Sequence, residues 1–166
     1  MTREDDLGRP WLLPATLAAG CAIIVAMVGM TLTDLGPWYQ SLRQPDWAPA
    51  PAVYGVAWTT IYALAALSAV SAWSAAPNRA SAELIVGAFA LNGFLNIVWS
   101  LLFFNARRPD LAFYEGIALW LSVAALILLC LRHSRPAALL LLPYLAWVSV
   151  AGLLNAEVVR LNGPFG

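Results

Sequence analysis

Long and almost unbroken runs of apolar residues dominate the chain, and polar positions collect in the short segments between them. About 20 helical residues cross the ~30 Å core of a membrane. Five runs reach this length, at residues 11–33, 51–73, 82–104, 111–131 and 137–157. The first is too long for a signal peptide, follows mixed charges and precedes no small-residue cleavage site, which favours a retained helix. The pattern therefore predicts an all-α protein, an integral membrane bundle of five transmembrane helices.

The segments between the runs are short, with one exception. Short connections place successive helices side by side and antiparallel, so we expect a single transmembrane domain over residues 11–161. Residues 1–10 form a polar leader, and residues 162–166 form a short tail. The chain shows no internal repeat, and an odd number of helices argues against the duplicated halves common in secondary transporters.

The exception is the stretch Gly36–Trp58, which follows the first run and extends into the start of the second. It combines indole and phenol rings with closely spaced prolines: Trp38, Tyr39, Pro45, Trp47, Pro49, Pro51, Tyr54 and Trp58. Each proline fixes φ and lowers the entropy lost on ordering, so the stretch predicts a structured first loop that covers the bundle as a lid. The alternative is an interfacial belt, because Trp and Tyr also collect at headgroup depth.

Composition supports the membrane assignment and excludes several functions. The 166 residues are 61% hydrophobic and 11% charged, whereas soluble proteins carry about 25% charged residues. A net charge of zero with no basic patch argues against nucleic-acid binding. The two cysteines and one histidine form no cluster, so we expect no metal site. The arginines divide five to four between the two sides, which leaves orientation and the membrane of residence open.

Polar side chains inside the third run share one face. Asn92, Asn96 and Trp99 follow each other at i, i+4 and i+7. Because carboxamides are costly in hydrocarbon, this face is expected to point at protein or at a cavity. The asparagines could line a ligand site, or they could clamp helices together without a ligand. The opposite face carries Gly87 and Ala90, which would permit close approach of a second copy in a homodimer.

Two more runs carry aromatic stripes. Tyr54, Trp58 and Tyr62 share a face of the second run, and the fifth run presents Tyr144, Trp147, Ala151 and Asn155. Pro143 is expected to kink the fifth helix. Aromatic stripes usually form ordinary core, but here amides and an aromatic loop accompany them. The combination predicts a flat, largely apolar small-molecule site.

Groups for acid–base or nucleophilic catalysis are few. The chain has no Ser/His/Asp set, no paired carboxylates and no phosphate-binding glycine loop. Glu115 and Glu157 are expected to sit near helix ends or to pair with an arginine such as Arg160, with a proton relay as the alternative.

Three motifs together resemble one known family. They are Trp38-Tyr39-x-x-Leu42-x-x-Pro45-x-Trp47-x-Pro49-x-Pro51 followed by Trp58, then Asn92-x-x-x-Asn96-x-x-Trp99 with Phe103-Phe104, and Pro143-Tyr144-x-x-Trp147-x-x-x-Ala151-x-x-Leu154-Asn155. In this order they resemble the tryptophan-rich sensory protein or translocator protein family (TspO/MBR, peripheral benzodiazepine receptor), over about residues 36–161.

The resemblance implies a five-helix bundle, often dimeric through its third helix, with a pocket under the first loop. It implies a membrane receptor or sensor that binds tetrapyrroles such as protoporphyrin IX and haem, with no required cofactor, and also drug-like apolar ligands. By motif position, the pocket would be lined by Tyr39, Trp58, Asn92, Asn96, Trp99, Trp147 and Ala151. Loop and stripe positions add Trp38, Trp47, Tyr62 and Tyr144 as candidate ligand-binding residues.

Two other functions stay open. Some bacterial members of the family degrade protoporphyrin with tryptophan involvement, which would make Trp58 and Trp147 the reactive pair of a light- and oxygen-dependent enzyme. A porphyrin or small-solute transporter is the third possibility. Sterol recognition is less expected, because Ala156 and Glu157 stand where the family's sterol motif has an aromatic residue.

Overall fold

The computed structural model describes residues 12–165, with side chains from residue 16 onward. The predicted polar leader lies outside this range. All secondary structure in the described part is helical: α1 Leu12–Leu32, α2 Pro37–Ser41, α3 Pro51–Ser74, α4 Arg79–Ser100, a π-helical segment Leu101–Asn105, α5 Pro109–Leu131, α6 Arg135–Leu140 and α7 Leu142–Asn162.

Four of the helical stretches are long and apolar enough to cross a membrane: Pro51–Ser74, Arg79–Asn105, Pro109–Leu131 and Arg135–Asn162. A shorter apolar helix, Thr16–Leu32, completes the set. The prediction of an all-α bundle with five membrane helices is therefore confirmed. The chain is an integral, multi-pass membrane protein, and the lipid bilayer is its environment.

Helix boundaries follow local chemistry. The side chain of Asn78 accepts a hydrogen bond from the Ser81 N–H, so α4 begins three residues before the apolar run does. Ser134 caps α6 in the same way, and prolines occupy the first turns of α3, α5 and α6. The side chains of Asn78 and Ser134 satisfy backbone N–H groups at the starts of these helices. The length of an apolar run does not predict such starts.

The fifth apolar run is divided in two. α6 ends at Leu140 and α7 starts at Leu142, with Pro143 in its first turn. Proline has no N–H to continue the hydrogen-bond ladder, and its ring clashes with the preceding turn. The kink predicted from Pro143 is present as a break at Leu141.

The packing places α5 between α4 and α7, while α1 lies against α3 and α4. α3 also contacts α6 and, over a shorter length, α7. The main apolar core runs along these contacts and includes fully buried Ile85, Val123, Leu126 and Leu141. Most other large apolar side chains point outward, as expected where lipid replaces water.

The first loop is structured and packs on the bundle. It contains α2 and buries Leu42 against Phe103 and Phe104 of the π-helical segment. A π turn inserts one extra residue into a helix. Here both consecutive phenylalanines of this turn are buried beneath the loop. The segment is followed by Arg107, which has a left-handed backbone (φ 55°) and turns the chain into α5.

Candidate ligand site in the aromatic core

A chain of hydrogen bonds joins four helices in the centre of the bundle. The Tyr62 hydroxyl of α3 donates to Asn96 Oδ1 (2.8 Å), and Asn96 Nδ2 donates to the Tyr144 hydroxyl of α7 (3.3 Å). Tyr144 in turn donates to Asn92 Oδ1 (3.1 Å), whose Nδ2 donates to Ser122 Oγ of α5 (2.8 Å). The chain ends where Ser122 donates to the Leu119 carbonyl (2.7 Å).

This network holds both carboxamides away from lipid. Asn92 and Asn96 are 5% and 4% exposed, and each uses its oxygen and its nitrogen on protein partners. Their inward placement agrees with the expectation from the sequence. The sequence allowed two roles for these asparagines, a clamp between helices or a ligand contact. The hydrogen bonds match the clamp. A satisfied network of this kind fixes the register of the surrounding helices.

Aromatic rings of α3 and α7 lie along one side of the hydrogen-bond chain. The Trp58 ring stacks on Tyr62 with centroids 5.5 Å apart and meets Tyr144 edge-on at 6.2 Å. Tyr54 meets Trp147 edge-on at 5.7 Å. The stripes of α3 and α7 that the sequence singled out therefore lie against each other, and they present flat apolar faces beside fixed polar groups.

A second aromatic group lies beneath the first loop. Trp38 meets Phe103 edge-on (6.1 Å), Tyr39 contacts Phe104 (5.8 Å), and Trp99 stacks on Phe103 (5.0 Å). The guanidinium of Arg107 lies 5.8 Å above the Trp38 ring, within the range of a cation–π interaction. Burial against these rings raises the pKa of the Tyr39 phenol, so Tyr39 is a neutral hydrogen-bonding group at physiological pH.

Trp99 connects the loop group to the end of the bundle. Its Nε1 donates to Asn155 Oδ1 (3.3 Å), and Asn155 Nδ2 donates to the Pro109 carbonyl (2.8 Å). Asn155 is 2% exposed. The amide thus satisfies both the indole and a carbonyl at the start of α5, which fixes the face that Trp99 presents.

The loop is anchored by a residue that sequence reasoning missed. Asn162, the last residue of α7, accepts from the Arg43 N–H (2.7 Å) and donates to the Arg43 carbonyl (2.9 Å). Its Nδ2 also donates to the Val158 carbonyl (2.8 Å). These residues are 119 positions apart, and no local pattern marks the pairing. We call this contact the Arg43–Asn162 latch.

Not every predicted site residue joins these groups. Trp47 is half exposed, and Ala151 is partly buried on α7 without a polar contact of its own. Trp147 lines an open apolar groove of about 370 Å³ between α3 and α7, together with Ala57, Thr60, Ile61, Pro143, Ala146 and Val150. A larger open groove of about 610 Å³ lies near the Pro77–Asn78 turn, lined by Trp73, Arg79, Ala82, Glu83, Val86 and Gly87. It contains none of the predicted ligand-binding residues.

Three ion pairs are present in the described part of the chain, and each lies near the end of a helix. Arg79 binds Glu83 (2.7 Å), Arg108 binds Asp110, and Arg160 binds Glu157 (2.7 Å). The hydrogen bond that Arg108 donates to Asp110 raises the pKa of the Arg108 guanidinium further above its usual range. The expectation that Glu157 pairs with Arg160 is confirmed. No cluster of metal-ligating side chains is present among the described residues.

These features define a class: a multi-pass helical membrane protein with an aromatic, amide-braced core under an ordered Trp/Pro-rich loop. The chain belongs to the TspO/MBR family, whose model matches residues 12–161. It is 35% identical to Protein CrtK of Rhodobacter capsulatus, over 89% of this chain and 93% of that protein. It is 30% identical to the tryptophan-rich protein TspO of Chlorobaculum tepidum, over 91% and 97%. The sheep (Ovis aries) translocator protein is 33% identical, over 75% of each chain.

Proposed function

We propose that this protein is a membrane receptor or sensor that binds tetrapyrroles, such as protoporphyrin IX and haem, in the aromatic core beneath the first loop. One observation carries the proposal. Flat rings from α3 and α7 surround a hydrogen-bond chain that leaves no carboxamide of the described core exposed to lipid. Such a site offers stacking faces held at fixed positions, which suits a rigid, flat ligand.

The loop and the groove supply a cover and an entrance for such a ligand. The Arg43–Asn162 latch holds the loop over the Trp99–Phe103 rings. The groove beside Trp147 opens between α3 and α7 and is lined mainly by apolar side chains. An apolar ligand dissolved in the bilayer would reach the rings through this groove without crossing the loop.

The test is a titration of purified protein with protoporphyrin IX, followed by the absorbance of the porphyrin. Tryptophan fluorescence is a poor reporter here, because eight tryptophans contribute and the variants remove some of them. Trp58→Leu should raise Kd about 5- to 10-fold, since a ring pair is worth about 1 kcal/mol beyond its buried area. The matched control is Trp120→Leu, at the exposed face of α5. Equal affinities of the two variants would refute the site.

Light- and oxygen-dependent degradation of porphyrin is a second candidate function. Trp58 favours it, because its indole contacts two phenols, Tyr62 and Tyr144, that belong to the hydrogen-bond chain. Indoles and phenols can each give an electron to an excited porphyrin ring. Bleaching of bound protoporphyrin under light and oxygen should slow in a Trp58→Phe, Trp147→Phe double variant. Equal bleaching rates at equal occupancy would remove this candidate.

The proposal includes a homodimer formed through α4. Gly87 and Ala90 are exposed on the face of α4 opposite the buried asparagines. Small residues on one face allow helix backbones to approach closely in a membrane.

A further inference from the structure

In the described part of the chain, one buried carboxyl has no hydrogen-bond partner. Both carboxyl oxygens of Glu115 in α5 are shielded from solvent, and neither has a hydrogen-bond partner among the described residues. The acids at the helix ends, Glu83, Asp110 and Glu157, each have an arginine. A buried carboxyl without a partner is costly in a protein and more so in a membrane. The Glu115 carboxyl is therefore available to a partner from outside the chain.

The register of α4 and α5 places Glu115 at the level of Trp99. Asn92 bonds to Ser122 across these antiparallel helices, and seven residues further along α4 lies Trp99. Seven residues earlier on α5 lies Glu115, a displacement of about 10 Å on the same face. The neighbouring residue confirms this register, because a Cβ added at Gly116 would lie 3.6 Å from the Trp99 indole.

The register of α7 places Glu115 at the level of the candidate ligand site. Asn155 bonds to the Pro109 carbonyl, six residues before Glu115. Tyr144 lies at the level of Asn92, to which it donates a hydrogen bond. Glu115 is therefore level with the part of α7 between these two contacts, which contains Trp147 and Ala151. The Trp147 indole N–H is the other shielded polar atom without a partner in the described part of the chain.

We infer that Glu115 is a specificity-determining residue of this site, which accepts a hydrogen bond from an N–H or ammonium group of a flat apolar ligand. A carboxyl keeps acceptor capacity in both protonation states, and the ionised form also attracts a positive charge. None of the side chains at its level on α4 and α7 is cationic, so no protein cation competes for it. When ionised, Glu115 would repel a ligand carboxylate turned toward it. A tetrapyrrole would therefore turn its carboxylates away from Glu115, and a cationic substituent at the ring edge would turn toward it.

This inference rests on the proposed function, and two porphyrin probes test it. One is protoporphyrin IX, with two carboxylates. The other is the same ring with both carboxylates converted to aminoethyl amides, which carry ammonium groups. The full chain in detergent should bind the ammonium probe more tightly. Glu115→Gln should weaken binding of that probe at least tenfold and leave protoporphyrin IX unchanged or tighter. Glu115→Asp, which keeps the charge, should retain the preference.

The control applies the same substitution to an exposed acid. Glu83→Gln, at the exposed Arg79 pair, should leave the ratio of the two affinities unchanged. If Glu115→Gln leaves that ratio unchanged, or weakens both probes equally, a water or a purely structural role explains the carboxyl and the inference is overturned.

A smaller probe separates this inference from the proposed function. If the wild type binds neither porphyrin, tetrapyrrole binding is refuted. The carboxyl is then tested with 2-naphthamidine, a flat amidinium, by infrared difference spectroscopy. A carboxyl band that shifts in the wild type and is absent in Glu115→Gln supports the inference. The absence of a shift overturns it.

Discussion

Tyr144 is the residue on which the central hydrogen-bond chain depends most. Its hydroxyl accepts from Asn96 and donates to Asn92, and the side chain is 3% exposed. Tyr144→Phe keeps the ring that contacts Trp58 and removes only the oxygen. Two amide atoms, Asn96 Nδ2 and Asn92 Oδ1, would then lose their partners in the interior.

The expected loss of stability follows from these two contacts. Interhelical hydrogen bonds in membranes average about 0.6 kcal/mol, with a maximum near 1.7. Losing two of them should cost about 1–3 kcal/mol. For a protein of this size each kcal/mol corresponds to about 2–4 °C in Tm, so we expect a decrease of about 2–12 °C. Tyr62→Phe breaks a single bond to Asn96 and should cost about half as much.

Thermal unfolding in one detergent, followed by near-ultraviolet circular dichroism, measures the difference. Tyr114→Phe is the matched control, because Tyr114 is 70% exposed on α5 and lies outside the network. It should leave Tm within about 1–2 °C of the wild type, as expected for an exposed substitution. A Tyr144→Phe shift no larger than that of Tyr114→Phe would show that the hydrogen-bond chain does not hold the helices.

Two further predictions concern the loop and the α4 face. Asn162→Ala removes the Arg43–Asn162 latch, whose two hydrogen bonds are worth about 1–2 kcal/mol, so trypsin should cleave after Arg43 about 5- to 30-fold faster. The control is Asn105→Ala, which changes an exposed asparagine. Equal cleavage rates in the two variants would contradict the latch. If the proposed α4 dimer forms, Gly87→Leu should convert it to monomer in light scattering without loss of Tm, because a Cβ at Gly87 meets nothing within 4 Å. Gly55→Leu, equally unobstructed on α3, should leave the dimer intact, and a dimer that survives Gly87→Leu would exclude this interface.

Much of the fold follows from local sequence. Apolar run length predicts the helices, Pro143 predicts the break at Leu141, and the cost of an amide in lipid predicts that Asn92 and Asn96 face inward. The ordered first loop follows from the stiffness of its prolines. Each of these inferences needs only a residue and its near neighbours.

What could not be predicted depends on contacts between distant elements. The partners of Asn96 are Tyr62 and Tyr144, which come from two other helices and are set by their register. The Arg43–Asn162 latch joins positions 119 residues apart. Loop composition does not tell which indole turns inward, and the structure packs Trp38 on the bundle while Trp47 stays half exposed.

The most direct test of the account locates a bound ring. Zinc protoporphyrin can be bound to the full chain, and the zinc position can be found by anomalous scattering from crystals of the complex. The account predicts zinc in the aromatic core, with the ring within about 4.5–7 Å of Trp58 or Trp147, the distance of stacked aromatic pairs. Zinc in the groove beside Trp73 and Arg79, or on the outer lipid-facing surface, would contradict it.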